Sequence, residues 1–165
     1  MVIRLEPYTK AHWHILKDLQ LAPEQAEFTA LPSQLLPMLE GNPERLGVTI
    51  LENDVPVGLF ALSVGEHRDK YLPQPDPAGV ALGALSLDRR CQGRGVGSAA
   101  MRQLSDFVPR HFPSAQHVLL VVNQRNPAAK HVYEKVGFVV LREREGLRGP
   151  QWVMQLDLSS PAPTS

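Results

Sequence analysis

Only one cysteine, Cys91, occurs in 165 residues. No disulfide can form within the chain, and a reducing compartment fits. Surplus charge is missing too, since 17 basic side chains balance 17 acidic ones. That balance argues against a chain held on nucleic acid or on a membrane by bulk charge. No apolar run approaches the roughly 20 residues of a membrane span. The start, "MVIRLEPYTK", lacks the apolar segment of a secretory signal. A cytoplasmic protein is expected, with no nucleic-acid and no membrane partner. Metal-ligand spacing is also lacking. His12 and His14 flank Trp13, but positions i and i+2 diverge on a helix, and His111, His117 and His131 form no ligand pattern. No metal site and no internal repeat are expected.

What is present is an order of strands and helices. "VIRLEP" reads as a first strand. "TKAHWHILKDLQ" reads as a helix with Thr9 at its N-cap and Trp13, Leu16 and Leu19 at helical spacing. "ALPSQLLPMLEGN" predicts a second short helix, interrupted at Pro37 and stopped at Gly41-Asn42. "LGVTILEND" and "VPVGLFALSVG" predict a hairpin turning at Asn53-Asp54. "HRDKYLPQPDPAG" reads as a proline-rich loop. "GVALGALSLD" and "HVLLVV" alternate little and read as strands buried on both faces. "QGRGVGSAAMRQLSDFVPRHF" predicts a helix entered through glycine. "NPAAKHVYEKVG" predicts another, capped by Asn126, opened by Pro127 and ended by Gly137. "FVVLRERE" and "QWVMQLDL" are the last strands. The order indicates one α/β (α+β) domain over residues 1–158 on a mixed central sheet, with a disordered polar tail at 159–165.

The densest signal is "DRRCQGRGVGS", residues 88–98, where a strand becomes a helix. A helix start exposes unpaired N–H groups and partial positive charge. Gly93, Gly95 and Gly97 let a phosphate approach those groups, and successive amides can curl around it. Arg89, Arg90 and Arg94 add positive charge. Taken alone, the glycines could also serve only a tight turn. A Walker loop needs a Gly-Lys-Ser/Thr ending, which is absent, and a dinucleotide fingerprint needs its third glycine one residue later than Gly97.

A second stretch, "NPAAKHVYEKVGF", places Asn126 and Tyr133 seven residues apart, close to one helical face. Together the two stretches resemble the GNAT superfamily, the N-acetyltransferases that use acetyl-coenzyme A. Gln92, Gly95 and Gly97 match its pyrophosphate loop. Asn126, Tyr133, Glu134, Lys135, Gly137 and Phe138 match its later segment. The resemblance is specific over about residues 80–141. It implies a sheet of about seven strands flanked by about four helices, splayed between the fourth and fifth strands.

The resemblance also implies roles. Main-chain groups of Leu85, Ser86 and Leu87 would pair with the pantetheine arm. The loop of Gln92, Gly93, Arg94, Gly95, Val96, Gly97 and Ser98 would hold the pyrophosphate, with Asn126, Ala129 and Lys130 contributing from the later helix. Tyr133 would hydrogen-bond the cofactor sulfur and serve as general acid. Glu66 ranks first as general base. Glu24 and Glu27, with Glu66 and Asp69, would make an acidic pocket for an amine, and a short "EQ…F.A" match to polyamine-acetylating relatives favours a polyamine. Cys91, beside three arginines, is expected to favour its thiolate, although direct transfer is the family's usual route. Small amines, amino sugars and protein N-termini or lysines stay open as acceptors, as does a non-catalytic acyl-coenzyme A sensor. The last two strands are candidates for a homodimer contact.

Overall fold

A computed structural model of the chain describes residues 1–159. Beyond Ser159, the expected tail lies outside the described residues. Seven strands form one sheet in the order β1-β2-β3-β4-β5-β7-β6. They are β1 (Ile3–Pro7), β2 (Arg45–Glu52), β3 (Val55–Ser63), β4 (Gly79–Leu87), β5 (His117–Asn123), β6 (Val139–Gly146) and β7 (Gly149–Asp157). Every neighbouring pair is antiparallel except β4–β5. The helices are α1 (Lys10–Leu16), α2 (Pro23–Ala26), α3 (Pro32–Leu39), α4 (Gly65–Asp69), α5 (Val96–Arg102), α6 (Leu104–His111) and α7 (Pro127–Lys135). The mixed sheet and its helices are the arrangement that the sequence resemblance implies.

The β2–β3 hairpin closes on Asn53 and Asp54, both at positive φ (50° and 67°), as a tight two-residue turn requires. Two departures from expectation are local. Pro37 does not interrupt α3, because it is exposed and removes only one bond from a helix that continues to Leu39. The chain after β3 is not all loop. Gly65, at φ 67°, turns it into the short α4, and Arg68 anchors that helix by donating to the Gly79 carbonyl at 3.1 Å.

Apolar side chains cover both faces of the sheet. On one face Phe60, Leu62, Val80 and Leu120 pack against Val96, Met101 and Leu104 of α5 and α6. On the other, Leu59 and Ala61 pack against Leu16 of α1 and Leu35 and Leu39 of α3. The second face is called the α1 face below.

The centre of the sheet is built to open. Leu59 pairs with Ser86, yet Ala61 pairs with Gly83, so two steps along β3 match three along β4. The extra residue makes a bulge at Ala84-Leu85, and Ala84 sits at φ 54°, a left-handed conformation that costs a non-glycine residue about 1–2 kcal/mol. β5 meets β4 only from Gly79↔His117 to Ala81↔Leu119. From there the strands part, while β5 stays paired with β7 as far as Asn123.

β6 is an edge strand with one charge sign on each face. Arg144 faces Gln151 and bonds it at 2.5 Å, while Glu143 lies opposite Trp152 and Glu145 opposite Pro150. Arg142 and Arg144 therefore share one face, and Glu143 and Glu145 the other.

Candidate functional site

The splay leads straight into the glycine loop. After Leu87 a single 3-10 turn spans Arg89–Cys91, and Gly93 and Gly95 follow at φ 73° and 78°, with Gly95 as the N-cap of α5. A Cβ added at Gly93 or Gly95 would meet nothing within 4 Å, so the space over the loop is open. The N–H of Ala99 is the first to reach back, to Gly95 O at 3.0 Å. The N–H groups of Val96, Gly97 and Ser98 precede it and have no intrahelical partner. Val96 and Ser98 bury their side chains, whereas Gln92, Gly93, Arg94 and Gly95 are exposed. What the loop offers a ligand is backbone donors.

Two of the three arginines do not stand over this loop as the sequence suggested. Arg90 turns back to Asp88, with Nε at 2.9 Å from Oδ1, and Arg94 pairs with Glu52. Asp88 is buried and also accepts from the Gln20 N–H at 3.4 Å. Its carboxyl lies below the ordinary range: burial pushes it up, and the bonds from Arg90 and Gln20 outweigh that. Cys91 reverses its expectation. It is buried, and burial together with Glu52 and Asp88 raises its pKa, so the thiol form is favoured.

Leu85, Ser86 and Leu87 line the parted edge of β4. Leu87 pairs with Gly58, and Ser86 Oγ donates to Leu59 O at 3.4 Å, both on the β3 side. Their β5 side carries no ladder. Asn126 caps α7, its Oδ1 accepting from the Ala129 N–H at 3.2 Å. Lys130 Nζ lies 3.5 Å from Glu134 and 5.7 Å from the Trp152 ring centre. The Tyr133 ring is buried, edge-on to Phe138 at 5.6 Å between centres. Burial pushes its phenol up to about 12. Among the described residues, its hydroxyl makes no protein hydrogen bond and is not one of the polar atoms sealed from solvent, so it remains a protonated donor.

On the α1 face, residues 17–31 form a strap across the mouth of the splay. At one end Gln20 bonds Asp88, and the Arg89 N–H donates to Gln20 O at 2.8 Å. At the other, the Glu27 carboxylate pairs with Arg125 at 2.8 Å, its carbonyl accepts from Arg148, and Arg125 stacks over Phe28. Arg148 belongs to the β6–β7 turn, whose carbonyl accepts from Asn123 Nδ2 at 3.1 Å. Glu24 lies on α2 within this strap.

Two of the four acids expected to make an acidic pocket here are already paired. Glu27 is neutralised by Arg125, and Asp69 by Arg68 at 2.8 Å. Glu66 sits exposed on α4, not at the splay. Ser63 pairs with Ala81 at the closed end of β4, and Glu66 is three residues further on. With about 3.3 Å per residue, Ala81 is already about 10 Å from the Ala84 bulge, and Glu66 lies beyond it on α4. That exceeds the reach of a base acting directly or through one water.

Sequence reasoning missed Tyr71 and Arg144. Tyr71 lines a cleft with Leu82 and Val121, the residues just past the point where β4 and β5 part. Arg144 lies over its ring, 5.3 Å from the centre. The proline-rich loop and the "RERE" repeat gave no sign that they meet. Among the described residues no cluster of three or more His, Cys, Asp or Glu could hold a metal ion. None of the described helices is long and apolar enough to cross a membrane.

Comparison with known proteins agrees with this geometry. A Bacillus subtilis (strain 168) protein, "Uncharacterized N-acetyltransferase YbbJ", is 34% identical over 153 residues, covering 92% of this chain and 95% of that one. The aminoglycoside acetyltransferase AAC(6')-Ib, solved with coenzyme A and kanamycin, superposes with a TM-score of 0.77 at 20% identity, over 94% of this chain and 95% of that one. An uncharacterized protein of Bacillus halodurans superposes at 0.76 with 14% identity, over 94% and 83% of the two chains. The "Acetyltransferase (GNAT) family" profile matches residues 13–138, most of the chain. The chain belongs to the GNAT acetyltransferase family.

Proposed function

We propose that the protein moves an acetyl group from acetyl-coenzyme A to a primary amine of a small molecule. The observation that carries this is the continuity of a parted β4 edge with a glycine-rich helix start. One element thus offers unpaired strand groups to an amide-bearing arm, and the next offers N–H groups to a pyrophosphate. The residues fit the donor: the bulge at Ala84-Leu85 opens the edge, and the space over Gly93 and Gly95 is clear. When bound, acetyl-coenzyme A supplies an activated carbonyl and a thiolate leaving group.

The chain's own residues then orient and polarise. Main-chain groups of Leu85, Ser86 and Leu87 hold the pantetheine arm along β4. Gln92 to Ser98 hold the pyrophosphate through backbone N–H groups. Tyr133, kept protonated by burial, donates to the sulfur as negative charge develops there. The strap, fixed by Gln20 and Glu27, walls the acceptor side. Neither Glu27, paired with Arg125, nor Glu66, on α4, stands at the bulge, so the amine enters as the neutral fraction or loses its proton to water.

Calorimetric titration with acetyl-coenzyme A, followed by thiol release against a panel of amines that includes spermidine and kanamycin, tests this. Binding with amine-dependent thiol release is expected. Failure to bind acetyl-coenzyme A would refute the proposal, and binding with no release from any amine would favour a sensor.

A further inference from the structure

We infer that the acceptor amine carries an anionic group, a carboxylate or a phosphate, held by a cationic cluster around Tyr71 at the apex of the splay. This deepens the acetyltransferase reading and rests on it. Tyr71 lies on the α1 face, the face closed by the strap, and borders the cleft between Leu82 and Val121. Two cations flank its ring: Lys70 Nζ at 5.0 Å and Arg144 Cζ at 5.3 Å from the centre. A third, Arg45, lies on the same face, its Nε donating to Ser63 Oγ at 3.0 Å.

Among the described residues, no carboxylate lies within ion-pair distance of Lys70, Arg45 or Arg144. Of the nearby acids, Asp69 pairs with Arg68 and the Glu44 carboxylate lies against Gly65, while Glu66, one turn before Lys70 and exposed like it, makes no ion pair among the described residues. Like charges gathered without a counterion repel one another, and a site that keeps them is matched to a ligand that brings the missing charge. His67 lies in the same field. Burial, and then Arg45 and Lys70, hold its pKa down at about 4. A polycation such as a polyamine meets repulsion here. An amine with its own carboxylate, as in an amino acid, can place that group on Arg144 and Lys70 while its nitrogen reaches toward the bulge. Arg144 gives Nη1 to Gln151, and its remaining N–H groups suit either oxyanion.

The test is a set of matched acceptors: amino acids against their carboxamides, phosphoethanolamine against ethanolamine, and spermidine and kanamycin as polycations. Thiol release is read as kcat/KM, and binding to the coenzyme A complex is read by calorimetry. Charge-assisted bonds of this kind predict a preference of about tenfold to a hundredfold for the acid over its neutral partner. In Arg144→Gln and Lys70→Gln that ratio collapses toward one. Acetyl-coenzyme A titration of each variant checks that the donor site is intact. The carboxylate and phosphate arms identify which oxyanion the cluster takes. An acid that neither turns over faster nor binds more tightly than its neutral partner overturns the inference. So does a best acceptor that is a polycation, or a ratio that survives both substitutions. Failure to bind acetyl-coenzyme A would instead remove the acetyltransferase reading itself.

Discussion

Replacing Tyr133 with phenylalanine separates two ways in which a phenol can assist a leaving thiolate. Burial holds the phenol at about 12. An alkyl thiol such as that of coenzyme A ionises near 8.5, so complete proton transfer from Tyr133 is uphill by about 5 kcal/mol. The proton therefore stays on the phenol, and the assistance is a hydrogen bond to developing charge. Such bonds contribute about 1.5–3 kcal/mol, which predicts a fall in kcat of about 10- to 150-fold for Tyr133→Phe. The ring keeps its edge contact with Phe138, and no protein hydrogen bond is lost among the described residues, so folding and acetyl-coenzyme A affinity hold. Single-turnover thiol release is the assay. A fall beyond about a thousandfold would mean full general-acid transfer, and no measurable fall would mean that the hydroxyl does not reach the sulfur. Either result refutes the reasoning. A stability measurement gives a second check. Between pH 10 and 12 the unfolded chain loses the tyrosine proton and the folded chain keeps it. Stability thus falls by about 3 kcal/mol as pH rises through that window, and Tyr133→Phe abolishes this contribution.

Three further outcomes follow. Gly95→Ala puts a side chain on a residue at φ 78°, at a cost of about 1–2 kcal/mol. Its methyl projects into the open space over the loop, so acetyl-coenzyme A affinity in calorimetry should fall at least about tenfold; unchanged affinity would remove the loop from cofactor binding. His67 stays neutral down to about pH 4, whereas the unfolded histidine takes its proton near 6.5. Stability should drop as pH falls from 6.5 to 4, and His67→Gln should flatten that slope in urea titrations; an unaltered slope would show that His67 is not desolvated. Finally, β6 should not extend its sheet into a second copy. A two-fold axis relating antiparallel edge strands is perpendicular to the sheet, so opposed residues share a face, and arginine would meet arginine and glutamate meet glutamate. Sedimentation should detect no association through this edge, and a dimer that Val140→Pro dissolves would contradict this.

The strands and main helices were legible because each carries a local pattern. The β2–β3 turn was legible because Asn53 and Asp54 tolerate positive φ. The splay was readable only through the family resemblance. The bulge falls on Ala84, a residue that does not announce a left-handed backbone, beside Gly83, which would. The arginines of the loop were misjudged for a different reason. Glu52 is 42 residues from Arg94, and nothing local reveals that they meet. Cys91 was misjudged because arginine neighbours in sequence say nothing of burial. The Tyr71 cluster draws on β2, the α4 loop and β6, so no contiguous stretch could show it.

On the proposed reading the two faces of the splay meet anions by opposite devices, and the difference has a physical logic. At the glycine loop Arg90 and Arg94 are drawn onto Asp88 and Glu52, which leaves backbone N–H groups as the open donors. Fixed dipoles hold a pyrophosphate with little side-chain ordering, and every acyl donor of this kind brings the same pyrophosphate. On the α1 face the acids are drawn away instead, and long cationic side chains remain. These can adapt to an acceptor whose charged group varies in position, at the cost of ordering them on each binding event. The strain at Ala84 joins the two sides. About 1–2 kcal/mol is held in one residue so that β4 turns away from β5, and on the proposed reading the opening that results admits the donor from the loop and the acceptor from the strap.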